Sequence, residues 1–196
     1  MYTTYMFKDV ENKTDEELVK LTLENQNYFA EIIQRYEQKL LNYIRRISNL
    51  GEEAEDVLQE VFIKVYQNLN GFDPKLKFSS WIYRITHNQV ISNYRKNKAR
   101  PHGLLLEMEE GSLENIADEF NFIEKIEQKK LRENIIKVLD KMDLKYKEVL
   151  VLKFLEEKDY KEISDILKKP MGTVASMINR AKKQFQEELD KSNIKL

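Results

Sequence analysis

Through most of this chain apolar residues return at steps of three and four, and nowhere do apolar and polar positions alternate for long enough to make a strand. Phe29, Ile32, Ile33, Tyr36, Leu40, Tyr43, Ile44 and Ile47 form one such series, and Ala54, Val57, Leu58, Val61, Phe62, Val65 and Leu69 form the next. Five glycines and three prolines in 196 residues supply too little turn chemistry for a β protein. The expected fold class is therefore all-α, with no internal repeat.

Local signals place the breaks. Thr14 to Glu17 reads as a capping box opening a short helix through Leu18, Val19 and Leu21. The helix of the first apolar series ends at Asn49 to Gly51, and the second runs from about Glu52 to Leu69. Gly71 to Pro74 interrupts the pattern. A long helix then starts near Ser79 as N-cap and runs to about Lys98, with Ile82, Ile85, Val90 and Ile91 inward. Further helices are expected at about 121–141, 144–156, 160–168 and 173–190.

Charge divides the chain more sharply than hydropathy does. From Pro74 to His102 there are seven basic residues (Lys75, Lys77, Arg84, Arg95, Lys96, Lys98, Arg100) and no acid, with Phe78, Trp81, Tyr83 and Tyr94 among them. From Gly103 to Glu124 there is no base, while Glu107, Glu109, Glu110, Glu114, Asp118, Glu119 and Glu124 are acidic. This switch predicts two small helical domains, 1–101 and 124–196, joined by an acidic linker at 102–123. Cations among aromatics suit single-stranded nucleic acid, whose phosphates attract the charges and whose unpaired bases stack on the rings. A plain solvated basic face is the alternative. With a net charge of −1, the chain is not expected to hold free DNA by charge alone.

Other classes are disfavoured. The absence of cysteine removes disulfide scaffolds and thiolate metal sites and fits a reducing cytoplasm. No apolar run approaches membrane-spanning length, and Met1 to Asp9 has no signal-peptide pattern, so no membrane insertion and a cytoplasmic location are expected. His87 and His102 stand apart from any metal-ligand spacing and read as surface groups. With no phosphate-cradling glycine loop either, neither an enzyme, a cofactor nor a bound metal is expected.

In the carboxyl-terminal half, Tyr160 to Leu167 forms a compact helix with Ile163, Ile166 and Leu167 inward. Pro170 disfavours helical backbone at Lys169, Gly172 permits an unusual backbone angle, and Thr173 can cap the next helix. Val174, Ile178, Ala181 and Phe185 lie on one stripe of that helix. Thr173, Ser176, Met177, Asn179, Arg180, Lys182 and Lys183 lie on the other. Small polar residues followed by cations is the layout of a helix-turn-helix recognition helix, although two short packed helices can look the same.

Several of these segments carry a resemblance. Asp56-Val-Leu-Gln-Glu-Val-Phe62, Phe72-Asp-Pro and Phe78 to Asn88 resemble the first half of an extracytoplasmic-function (ECF) sigma factor of bacterial RNA polymerase, within the housekeeping-type sigma superfamily. Leu139 to Lys183, with Tyr146-Lys-Glu-Val-Leu-Val-Leu, Glu162-Ile and Gly172-Thr-Val-Ala-Ser, resembles the second half of the same family. Together they cover about Ala30 to Leu189 in the family's order. The resemblance implies a factor that binds core polymerase and directs promoter-specific initiation by reading duplex −35 and melted −10 DNA.

The same resemblance implies roles for particular residues. Asp56, Gln59 and Glu60 would dock on the β′ coiled coil, with the β subunit also in contact. Phe62 reads as core. The loop from Asn70 to Lys77, with Phe72, Asp73, Lys75 and Lys77, would supply a pocket for an extruded −10 base, and Tyr83, Arg84, His87, Asn88 and Arg95 would line the strand path. Trp81 could be core or a stacking platform. Lys168, Lys169, Thr173, Ser176, Met177, Asn179, Arg180, Lys182 and Lys183 would read or hold the −35 duplex.

Departures from the family pattern bear on specificity. Ser92 stands where an acid is common, and Lys168 and Lys169 replace a usual glycine and a usual apolar residue of the turn. Ala175 and Met177 replace common basic residues, so the −35 sequence is left open; Met177 could pack on a thymine methyl. The acidic linker could be solvated or could imitate nucleic acid in polymerase channels. A partner anti-sigma factor is also expected from the family. The rival reading is a helix-turn-helix regulator that binds duplex operators without touching polymerase, and a weaker rival is an RNA-binding or structural helical protein. Both leave part of the chain without a purpose.

Overall fold

Thr14 opens the first helix as its capping box requires. Its hydroxyl accepts from the Glu17 N–H at 3.2 Å, and the Glu17 carboxylate accepts from the Thr14 N–H at 2.7 Å. The computed structural model describes residues 10, 12–48, 50–51, 53–99, 131 and 133–192. Among these the regular elements are helical, and the chain divides into two compact units, chiefly at Pro101–His102, with Ser164–Lys168 falling in the first. The acidic linker expected at 102–123 lies outside the described residues, as do Glu52, His102 and the start of the helix expected at 121.

The amino-terminal unit consists of α1 (Asp15–Glu24), α2 (Phe29–Ile47), α3 (Glu53–Gln67) and α4 (Phe78–Ala99), with short 3-10 turns at Gln26–Tyr28 and Leu69–Gly71. All seven core positions read from the second apolar series, Ala54 through Leu69, are buried. They meet Ile32, Leu40, Tyr43 and Ile44 of α2 and Ile82 of α4 in the core of this unit. Each such side chain contributes about 1.5–3 kcal/mol by leaving water. Arg35 ties the segment before α1 to α2, donating to the carbonyls of Val10 and Lys13 at 2.7 and 2.8 Å and to Asp15 and Glu31 at 3.1 Å each.

The start of α4 differs from the sequence expectation. Ser79 lies inside the helix, whose first residue is Phe78. The Phe78 N–H is satisfied by the Glu16 carboxylate at 2.9 Å, a cap supplied from α1 rather than from the chain next door. Helix α4 packs on α1, α2 and α3, and from Phe78 to Val90 it buries most of its circumference.

The carboxyl-terminal unit has a helical segment 133–139 (α5), α6 (Leu144–Leu150), a π-helical turn (Val151–Leu155), α7 (Tyr160–Leu167) and α8 (Met171–Ser192). Four consecutive residues, Val149 to Leu152, are buried, more of the circumference than one helical stripe provides. The wider turn begins among them, its Glu156 N–H reaching the Val151 carbonyl at 2.9 Å. Helix α6 packs on α8, where Val174, Ile178 and Ala181 are buried. A second capping box, between Asp159 and Glu162, opens α7 with bonds of 2.9 and 2.7 Å. Its Asp-x-x-Glu signal is present in the sequence.

The turn after α7 corrects two expectations. Helix α8 begins at Met171, and the Val174 N–H bonds to the Pro170 carbonyl at 3.0 Å, so Thr173 is a first-turn residue rather than the N-cap. Gly172 has helical backbone, and no glycine among the described residues has positive φ. The left-handed residue is Lys168, with φ 53°. A side chain there costs about 1–2 kcal/mol, which accounts physically for the glycine expected from the resemblance.

Candidate nucleic-acid interface

Three surfaces carry the candidate residues. On α3, Asp56, Gln59 and Glu60 are exposed on one face, as the spacing requires. Between them and the end of the helix lies Ile63, 57% exposed. No periodic pattern singles out Ile63, although it stands three, four and seven residues after Glu60, Gln59 and Asp56. Phe62 is buried, as expected. Glu60 is held by the Gln89 carboxamide of α4, whose oxygen accepts from the Lys64 ammonium. Gln89 thus bridges the acidic face to α4.

The loop before α4 is ordered by its own side chains. The Asp73 carboxylate accepts from the Lys75 N–H at 3.0 Å, and the Leu76 N–H bonds to the Asp73 carbonyl at 3.0 Å, closing a turn. Asp73, Lys75 and Lys77 are exposed. Phe72 is not: it is buried against Phe78 and Trp81, with ring centroids 5.4 and 5.6 Å away. Phe78 and Trp81 are themselves 5.6 Å apart and buried, so Trp81 belongs to the core. Phe72 is corrected from a base-contacting residue to part of the aromatic cluster under the loop.

Along α4 the expected strand-lining residues separate into two sets. Arg84, Asn88 and Arg95 share one stripe at spacings of four and seven, the first half-buried and the others exposed. Tyr83 and His87 point the other way and are buried, the ring of Tyr83 5.1 Å from that of Tyr43 and the His87 Nδ1 3.3 Å from the Tyr43 hydroxyl. They are corrected from strand contacts to support of the helix, and His87 is also not the surface group the sequence suggested. Beside the exposed stripe is a groove of about 360 Å3, lined by Lys64, Asn68, Gly71, Trp81, Asn88 and Gln89 among others. Amides and a cation above an indole floor offer hydrogen bonds to a base edge and a flat apolar surface beneath it. Of the loop expected to form a pocket, Gly71 lines this groove.

On α8, Thr173, Ser176, Asn179, Arg180, Lys182 and Lys183 are all exposed, and Met177 is half-buried at the edge of the row. The Ser176 hydroxyl donates to the Gly172 carbonyl at 2.9 Å, which fixes the oxygen's direction and leaves its acceptor side outward. The Lys182 ammonium lies 5.3 Å from the exposed Phe154 ring. In the turn, Lys168 is exposed, while Lys169 is half-buried beside Glu148. Burial pushes the Glu148 carboxyl up to about 7, and the charge of Lys169 opposes that rise.

Residues 32–100 match the model of sigma-70 region 2, and residues 132–185 match that of sigma-70 region 4. The chain is 33% identical over 172 residues to the ECF RNA polymerase sigma factor SigW of Bacillus subtilis (strain 168), covering 84% of this chain and 90% of that one. It is 28% identical over 187 residues to the ECF RNA polymerase sigma-E factor of Escherichia coli (strain K12), covering 91% and 96%. Among solved structures, CnrH in complex with the cytosolic domain of CnrY superposes with a TM-score of 0.66 at 22% identity, over 91% of this chain and 99% of that one. RpoE in complex with the anti-sigma factor NepR from Bartonella quintana gives 0.63 at 19% identity, over 83% and 96%.

Proposed function

The chain belongs to the ECF sigma factors of RNA polymerase and as such directs transcription; we propose that it does so by docking core polymerase through α3, holding the −35 duplex with α8 and capturing the melted −10 strand along α4. Neither a catalytic group nor a cofactor has a part in this reading, and its place of action is the cytoplasm. No helix among the described residues is long and apolar enough to cross a membrane.

The observation that carries the reading is the groove between α3 and α4, bordered by the Arg84, Asn88 and Arg95 stripe. One unpaired base would enter the groove with its edge toward the side-chain amides of Asn68, Asn88 and Gln89 and the neighbouring phosphates along the cations. Unstacking costs a few kcal/mol per base, which those hydrogen bonds and phosphate contacts offset. Lys75 and Lys77 at the loop rim add phosphate contacts. A regulator limited to duplex operators would have no use for this groove or for the docking face.

Docking would combine Asp56, Gln59 and Glu60 with the exposed Ile63. The acids steer a basic partner, and Ile63 gives the contact an apolar centre. On α8, Ser176, Met177 and Asn179 would face base edges, while Thr173, Arg180, Lys182, Lys183 and the turn's Lys168 and Lys169 would hold phosphates. RpoE was captured with the anti-sigma factor NepR and CnrH with the cytosolic domain of CnrY, and an anti-sigma factor covering the polymerase-binding surface is proposed as a partner here.

Replacing Asp56 and Glu60 together by lysine tests the docking assignment. Affinity for core polymerase should fall by about a hundredfold or more, with helical content unchanged. Parental affinity in the double variant would remove α3 from the interface.

A further inference from the structure

Helix α1 precedes the span that matches sigma-70 region 2, which begins at residue 32, yet two of its side chains converge on the first residue of α4. Glu16 accepts from the Phe78 N–H at 2.9 Å. Asp15 accepts from the Tyr36 hydroxyl at 2.5 Å, and the Tyr36 ring lies edge-on to the Phe78 ring at 5.6 Å. Phe78 in turn packs on Phe72, at the base of the Asp73–Leu76 turn, and on Trp81, the floor of the groove. Glu16 thus holds the backbone of the residue that joins loop to floor, and its neighbour Asp15 holds Tyr36, whose ring packs on that residue.

The cap is also placed where it matters electrostatically. The start of α4 carries the positive end of the helix dipole, and its first turn contains no acid of its own. Lys75 and Lys77 precede it in the chain. A carboxylate brought in from α1 satisfies an N–H that the chain before Phe78 leaves unbonded. It is part-buried, so it is screened less than a surface group.

We propose that α1 is a positioning element of the −10 reading head, and that Glu16 sets the rim of the base-capturing groove by fixing the first turn of α4 against the loop from Phe72 to Lys77. This rests on the reading of that groove as the site of the extruded base. Glu16 touches no DNA. It acts through Phe78, so its loss alters which base is held more than whether the protein folds or binds polymerase.

The test uses holoenzyme on a promoter carrying 2-aminopurine at the captured non-template −10 position, together with the four natural bases there. In the parent, opening should raise the 2-aminopurine fluorescence. Glu16→Ala should slow opening about fivefold, the scale of a lost N-cap, and flatten the ranking among the four bases. Glu16→Asp keeps the charge but shortens the reach and should do the same, whereas Glu16→Gln loses the charge but keeps an acceptor at full reach, and should slow opening less than Glu16→Ala while retaining the parental ranking. A merely structural role would lower thermal stability without re-ranking bases. No fluorescence rise in the parent would remove the groove reading itself. A rise in the parent with unchanged rate and ranking in Glu16→Ala would overturn only the role of α1. If Glu16→Ala fails to bind core polymerase, Glu16→Asp decides, and parental ranking in that variant overturns the proposal.

Discussion

Helices α4 and α8 are both 22 residues long and both carry the chain's DNA-directed cations, yet they present them in opposite ways. Helix α4 is packed on three sides, so its reading surface is one narrow stripe beside a groove. Helix α8 buries Val174, Ile178 and Ala181 and leaves a broad polar row outside. A groove with a rigid aromatic floor suits a base already out of its duplex. An open row suits the continuous floor of a major groove, where the DNA supplies the shape. The difference suggests that α4 discriminates by what fits and α8 by what it touches.

The largest expected effect tests this at α4. Replacing Asn88 and Arg95 by alanine removes two side chains from the stripe without touching the core, since both are exposed. Opening of duplex promoters should slow about a hundredfold, roughly tenfold for each contact of about 1.4 kcal/mol. Binding to −35 DNA should stay near the parental level. A pre-melted bubble should restore part of the rate, because unstacking no longer has to be driven. Permanganate reactivity of −10 thymines reports the opening directly, and parental opening in the double variant would reduce α4 to a basic surface.

The contrast between the helices also explains what could be read without coordinates. On α8 the periodic pattern separates the buried from the exposed face, with Met177 and Phe185 half-buried at the margins, because only one stripe is buried. On α4 the same method succeeded for Ile82 and Val90 and failed for Tyr83 and His87. A helix packed against three others buries polar positions that no single stripe reveals. Ser79 failed for a related reason, since the real cap comes from Glu16, 62 residues away. The Thr14 box is legible in the sequence because its bonds close within four residues, and the Asp159 box carries the same kind of signal. Ile63 is not legible because it interrupts an acidic face, and an apolar residue on a polar face becomes informative only once its exposure is known.

An intermediate effect concerns how the two units bury polarity. The α4 unit buries hydroxyls bonded to their own helix, Thr86 to the Ile82 carbonyl and Thr22 to the Leu18 carbonyl, and the imidazole of His87 beside Tyr43. The other unit buries an amine and a carboxyl: Lys147, paired with Asp140 at 2.6 Å, and Glu148. The Glu148 carboxyl, pushed up by burial from its ordinary 4.5 to about 7, binds its proton more tightly in the folded state. Its contribution to stability is therefore full below about pH 4.5 and is lost as pH rises through about 7. Glu148→Gln should remove that decline and stabilise the carboxyl-terminal unit by about 2 kcal/mol at pH 8. Amide exchange of residues 133–192 across pH would show it, with the amino-terminal unit unaffected. An unchanged pH profile would place the buried charge penalty elsewhere.

The smallest effect separates touching from holding within α8. Lys183 is 82% exposed, and its ammonium is 4.0 Å from Glu187, too loose a pair to keep it from a phosphate. Lys183→Ala should weaken binding to every promoter alike and reduce the slope of log affinity against log salt by about 0.9, the share of one phosphate contact. Ser176→Ala or Met177→Ala should leave the slope alone and re-rank promoters differing in the −35 bases, by about 1–3 kcal/mol where a base contact is lost. Affinities measured across a salt series on a panel of −35 duplexes distinguish the two. If all three substitutions lower affinity uniformly with equal change in slope, α8 holds the backbone only. Sequence discrimination would then rest on the α4 groove, and the division of labour between the two helices would fail.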